Sequence, residues 1–156
     1  TKVTAAATTN INVNSTNGAA AGVETVVVDG GKDVTVVSKN NVADTIAVGA
    51  TTTAAGKVSV TSTGGTANGD TQGNIAVTGG TEITVNQNAG NVVNTTNTGG
   101  AIDVNGNAST TTVTVNQSAA ATAAAAPQAI VSLPQTIAVM SGYCCKIVSA
   151  LDWPSV

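Results

Sequence analysis

Few side chains in this chain are of a type and spacing that could do chemistry, and the acids come closest. Asp29 and Asp33 flank Gly30-Gly31, and Asp70 closes the run Gly64-Gly65-Thr66-Ala67-Asn68-Gly69-Asp70. Glycine turns let backbone carbonyls and Asp carboxylates converge on a calcium ion, so Asp29, Asp33 and Asp70 are the metal candidates. The pattern falls short of a full site. Tandem calcium turns of the Gly-Gly-x-Gly-x-Asp type need a third Gly one residue after the variable position, and here it is displaced and the run has no second copy. A calcium ion also wants about six oxygens or more, which no local cluster offers. The expectation is no cofactor, with Asp29 and Asp33 forming a solvated turn tip.

The remaining reactive types are sparser still. The chain has no His, and its five Lys and Arg are all Lys, so neither a nucleophile–base pair nor an Arg-lined groove is available. Its eight acids are scattered along the sequence. Cys144 and Cys145 are adjacent, where a mutual disulfide would close a strained ring and where further zinc ligands are missing. These residues predict a protein that is not an enzyme. With no Arg, no basic cluster and no aromatics to stack on bases, nucleic acid is excluded as a partner.

What must position these groups is an unusual alphabet. Before Pro127 there is no Leu, Pro, Cys, Met or aromatic residue, and the core has only Val, Ile and Ala to draw on. Val, Ile and Thr are stiff at χ1 and suit a pleated surface, so the chain reads as all-β with a thin interior. Charged residues make up 8% against about 25% in ordinary domains. Disordered chains are usually rich in charge and poor in β-branched residues, the reverse of this composition. The longest apolar runs of the tail are far short of the roughly 20 residues that cross a bilayer, so no membrane span is expected. The start at Thr1-Lys2-Val3, without an initiator Met or an apolar leader, reads as a processed product or a piece of something longer.

Internal repeats give the organisation. Val26 to Val36 reads VVVDGGKDVTV and Ile75 to Val85 reads IAVTGGTEITV, matching without a gap. Ile46-Ala47-Val48 then leads to Val58-Ser59-Val60, as Ile102-Asp103-Val104 leads to Val113-Thr114-Val115. Ile83-Thr84-Val85-Asn86-Gln87 returns as Val113-Thr114-Val115-Asn116-Gln117. Short and long turns alternate, so the period is a two-unit module of about 50 residues, repeated over 23–62 and 75–117 within a strand region spanning 1–117. Ile11-Asn12-Val13-Asn14 resembles Ile102-Asp103-Val104-Asn105 and reads as the remnant of an earlier module. Alternation at period two puts Val and Ile on a buried face and Thr, Ser, Asn or Asp on a wet one. Two architectures satisfy this: a β-solenoid-like stack, favoured by the lack of aromatic core residues, and a β-sandwich of hairpins turning at the Gly-Gly pairs, favoured by the unequal turns.

The stretch from Ile75 to Ala126 resembles the very long β-strand-repeat proteins of Gram-negative bacteria, S-layer-like or adhesin-like and often exported together with calcium-binding RTX repeats. The resemblance spans about residues 20–126. It implies an extracellular, cell-surface structural role, with self-association or neighbouring repeats of a longer chain as partners. A ligand-displaying adhesin or an ice-binding module is the alternative; ice binding wants evenly spaced Thr on a flat face, as at Thr112 and Thr114, but Ser59 and Asp103 occupy comparable positions in other units.

Residues 118–126, SAAATAAAA, read as a connector or as a short helix with Ser118 as its N-cap. The tail 127–156 has a different composition. It is either a cap closing the stack with Leu133, Ile137, Val139, Met140, Leu151 and Trp153, or an unrelated tail.

Overall fold

The computed structural model describes residues 1–17, 23–65, 69–88 and 97–118, together with the backbone of 129–132. Most of the connector and the tail therefore lie outside the described residues. The exceptions are Ser118, the last residue of a strand, and the strand Ala129–Ser132.

The chain is a β-solenoid made of two facing parallel sheets. Strands β1 (Lys2–Ala5), β3 (Thr25–Gly30), β5 (Thr45–Val48), β7 (Ile75–Thr78), β9 (Ile102–Asn105) and β11 (Ala129–Ser132) form the first sheet in that order. Strands β2 (Ile11–Thr16), β4 (Val34–Asn41), β6 (Val58–Gly64), β8 (Glu82–Asn88) and β10 (Thr112–Ser118) form the second. Each coil lays one strand in the first sheet, turns a corner, lays one in the second and returns one rung higher, about 4.8 Å on. Every strand pairing among the described residues is parallel. Hairpins pair antiparallel, so the sandwich alternative is set aside.

The Gly-Gly pairs are corners between sheets. Gly30 and Gly31 hold φ of +75° and +87°, and Gly79 and Gly80 hold +77° and +105°, a region that costs an L side chain free energy. Space excludes a side chain there as well, because a Cβ on Gly30 would run into the Ala5 carbonyl oxygen of the preceding coil. The corner 49–57 is longer, and Ala54 within it is buried and bridges to Gly79 of the next coil. Short and long corners alternate through these coils, which is why the sequence repeats every two of them.

Alternation then fills the interior. Val28, Val48, Val77 and Val104 stack in one in-register column of the first sheet, and Val36, Val60, Val85 and Val115 in one of the second. Ile46, Ile75 and Ile102 form a third. Parallel sheets usually need helices to cover both faces. Here each sheet is the cover of the other; the outward face of the second sheet carries mostly Thr, Ser and Asn, while that of the first also carries Val27, Ala47, Ala76 and Asp103.

Two expectations change. Ile11–Thr16 pairs with β4, with Ile11 beside Val34, so it lies in the second sheet and is the counterpart of Val34–Val36, whereas Ile102 belongs to the first sheet. The likeness to Ile102–Asn105 reflects a shared alternation that both sheets use. The strand region also runs past residue 117, since β11 pairs in parallel with β9, Ala129 beside Ile102 and Val131 beside Val104.

Candidate functional site

Of the three acids singled out from the sequence, Asp29 and Asp33 flank the same Gly30-Gly31 corner and Asp70 lies on a return from the second sheet to the first. Asp29 ends a strand of the first sheet and is buried, 3% exposed, contrary to the expected solvated turn tip. Its Oδ1 accepts the backbone N–H of Thr51 at 2.8 Å and that of Thr52 at 3.4 Å, both from the long corner of the next coil. Thr51 N–H donation holds the Asp29 carboxyl below its ordinary value of 3.8; burial works against this, and Thr52 and the Lys2 ammonium, 3.8 Å away, add to it. Asp33 is half-buried, and its Oδ1 accepts the Lys57 N–H at 2.9 Å. Both acids thus bind the backbone of the coil above. Asp70 is half-buried and stands elsewhere, its N–H donating to Asn97 Oδ1 at 3.0 Å. Among the described residues, no three of the Asp, Glu, Cys and His side chains come together.

At the opposite end of the coil, where the second sheet returns to the first, the interior is polar. Alternation carries Ser38, Ser62 and Gln87 inward in one register column below Gln117. Ser38, Asn41, Asp44, Ser62, Gln72 and Gln87 are all 2% exposed or less. Asn41 organises the group. Its amide donates to the Asp44 carbonyl at 3.0 Å and to Ser62 Oγ at 3.1 Å, while its Oδ1 accepts the N–H of Asp44 at 3.0 Å and of Gly73 at 3.2 Å. The Asp44 carboxylate accepts both Asn17 Nδ2, at 3.0 and 3.1 Å, and the Glu24 N–H at 2.7 Å. Gln117 donates to Gln87 Oε1 at 2.6 Å, and Gln87 to the Gly73 carbonyl at 3.1 Å. Two buried acceptors, Asp70 Oδ2 and Gln72 Oε1, have no partner among the described residues. Buried polar groups must be hydrogen-bonded, and this network satisfies most of them.

Apart from Asp70, none of these buried polar residues was singled out by sequence reasoning. The signal was present for four residues: Ser38, Ser62, Gln87 and Gln117 fall in phase with Val34-Val36, Val58-Val60, Ile83-Val85 and Val113-Val115, which marks them as inward-facing. For Asn41, Asp44 and Gln72, which lie at bulges and returns, no periodicity points inward.

The outward face of the second sheet is regular. Register aligns Thr35, Ser59, Thr84 and Thr114 in one column and Val37, Thr61, Asn86 and Asn116 in the next. Asn116 Nδ2 donates to Asn86 Oδ1 at 2.8 Å, so the second column is itself hydrogen-bonded. Charges are few. Lys57 and Glu82 pair at 2.9 Å on the surface, and this contact raises the Lys57 pKa above its ordinary value.

Among the described residues, the second sheet ends at both sides in a strand with no further neighbour. β10 is the outermost strand of the second sheet, and its Val113 and Val115 are half-buried where Val58, Val60, Ile83 and Val85 are essentially sealed. Beside it Asn86, Gln87, Asn88, Val115, Asn116, Gln117 and Ser118 line a shallow groove. β2 is the outermost strand at the other end, with Ile11 and Val13 at 6% and 8% exposure. Among the described residues no helix is long and apolar enough to cross a membrane. The chain matches no protein-family model and no curated protein.

Proposed function

We propose that this chain is a structural module of an extracellular bacterial surface protein, of the S-layer, adhesin or filament kind, that acts through self-association and catalyses nothing. The observation that carries the reading is the pair of outermost strands, β2 and β10, which hold no charged residue and run parallel to the stack they end. Such edges expose rows of N–H and C=O groups that pair with another strand, and charge is the usual protection against this. The lack of His and Arg supports a role without turnover, and the role calls for no cofactor. Export and surface location rest on the repeat resemblance over residues 20–126. Sedimentation velocity and electron microscopy over a concentration series test it, with and without calcium. Ordered assemblies growing with concentration are expected; a stable monomer at high concentration in both conditions refutes the proposal.

A second reading, a ligand-displaying or ice-binding module, gains support from one feature. The hydroxyls of Thr35, Ser59, Thr84 and Thr114 align across four coils, a regularity that unit-by-unit comparison of the sequence did not bring out. Thermal hysteresis in dilute solution, abolished by Thr84→Tyr, would favour it over self-association.

A further inference from the structure

On the outward face of the first sheet one column of residues runs up the stack. Register sets Lys2 beside Val27, Val27 beside Ala47, Ala47 beside Ala76 and Ala76 beside Asp103. The middle of the column is apolar, and its two ends carry opposite charges. We infer that this face binds a second copy of the same chain turned end for end, so that each Lys2 ammonium meets the carboxylate of Asp103 of the partner subunit. The inference rests on the reading that the chain self-associates, and it adds to the edges β2 and β10 a separate, lateral surface.

Three observations converge on this column. First, its charges have capacity left. The Lys2 side chain is 67% exposed and stands 3.8 Å from Asp29, whose carboxylate is already held by the Thr51 and Thr52 amides. Asp103 is exposed and accepts one side-chain donor, Asn105 Nδ2 at 3.1 Å, where a carboxylate can accept several. Second, the middle is the apolar part of this face: Val27 and Ala47 are half-buried and Ala76 is exposed, where the second sheet turns mostly Thr, Ser and Asn outward. Third, the order is self-complementary. A two-fold axis through Ala47 along the strand direction sets Lys2 against Asp103, Val27 against Ala76 and Ala47 against Ala47. Opposite charges then meet, and the largest apolar side chain of the column faces a small one. A two-fold axis along the stack would instead set Lys2 on Lys2 and Asp103 on Asp103, which like-charge repulsion disfavours. Such an isologous contact uses one patch on both copies and closes on itself.

The surroundings fit the same arrangement. Thr4, Thr45, Thr78 and Asn105, which flank the column, are uncharged, so no like charges are pressed together beside it. Facing sheets pack about 10 Å apart, a gap that the long Lys2 side chain spans. The register position of Ile130, next after Asp103, falls past Lys2 of the partner subunit and outside the matched column. From Lys2 to Asp103 the column is about 19 Å long, and its strands are short, so the contact is small and the pairing weak and reversible.

The test is zero-length cross-linking of the full chain with a carbodiimide, which joins an amine to a carboxylate only where the two touch. An equal mixture of isotope-labelled and unlabelled copies, at up to about 1 mM, should give a Lys2–Asp103 amide between a labelled and an unlabelled chain, read by mass spectrometry. Ala47→Arg sets two cations against each other on the two-fold axis and should lower the yield of that cross-link about tenfold, with the circular dichroism of the chain unchanged. Ala76→Arg, at an exposed position facing Val27, should act the same way and is read in its place if Ala47→Arg does not fold. End-to-end stacking could also bring Lys2 of one copy toward Asp103 of the next, but Ala47 and Ala76 play no part in that junction. A Lys2–Asp103 cross-link that survives Ala47→Arg and Ala76→Arg therefore overturns the inference. So does association of the native chain without this cross-link, and in both cases self-association by the edges stands. A native chain that stays monomeric throughout the concentration series overturns both.

Discussion

Each coil has two ends inside, and they are held by different forces. Toward the Gly-Gly corners the interior is Val and Ile in unbroken aliphatic columns, held by burial of apolar surface. Toward the returns it is Ser, Asn, Gln and Asp, held by hydrogen bonds among side chains and to backbone groups of neighbouring coils. The difference follows from the backbone. Where the chain runs as regular ladder, every N–H and C=O is paired and only apolar side chains are needed. Where β4 bulges between Ser38 and Asn41 and the chain turns back, ladder bonds are lost, and Asn41 and Asp44 supply the missing partners.

Perturbing each end should therefore give a different response. The largest effect is expected in the aliphatic columns: Ile75→Ala leaves a cavity between sealed neighbours and should lower stability by about 3 kcal/mol, while Val113→Ala, at the half-buried edge, should cost about 1 kcal/mol. Equal losses in urea melts would contradict the ordering of the columns. Next comes Asn41→Ala, which strands the N–H of Asp44 and of Gly73 and should cost about 2 kcal/mol. Here the loss should fall on local protection at the return, with amides of residues 41–44 and 73 exchanging faster before the columns do. A smaller effect, of opposite sign, is expected at Ala43, which holds φ of 60° in that same return: Ala43→Gly should stabilise by about 1 kcal/mol in the same melts.

The smallest expected effect concerns the charge at the apolar end. Asp29 has its pKa lowered in the fold, so the stability it contributes is present above the ordinary value of 3.8 and is lost as the pH falls through the lower, folded value. The melting temperature of the native chain should fall in that window below 3.8. In Asp29→Asn this component of the fall should be missing, and an unaltered acid profile would show that the contacts with Thr51 and Thr52 do not favour the charged form.

This contrast also marks how much was legible in the sequence. Val26–Val36 against Ile75–Val85 disclosed the alternation, the all-β class and the corners, because ladder and column impose one period on every coil. The choice between stack and hairpins was not legible, since a Gly-Gly pair at positive φ serves a corner or a hairpin equally well. Asp29 read as solvent-facing because acids usually are, and its burial depends on the Thr51 and Thr52 amides of a corner that lies 22 and 23 residues away. The polar returns were hidden for the same reason: Asn41 and Gly73 meet across 32 residues, through stacking that no local pattern encodes.

The central claim is that the Gly-Gly units cross between two parallel sheets, and backbone nuclear Overhauser effects in solution test it most directly. Long-range amide–α contacts following Val36, Val60 and Val85 in parallel register are expected, with none across the Gly30-Gly31 turn beyond its immediate neighbours. Close α–α contacts joining Val26–Asp29 to Lys32–Thr35, the mark of an antiparallel hairpin, would contradict it.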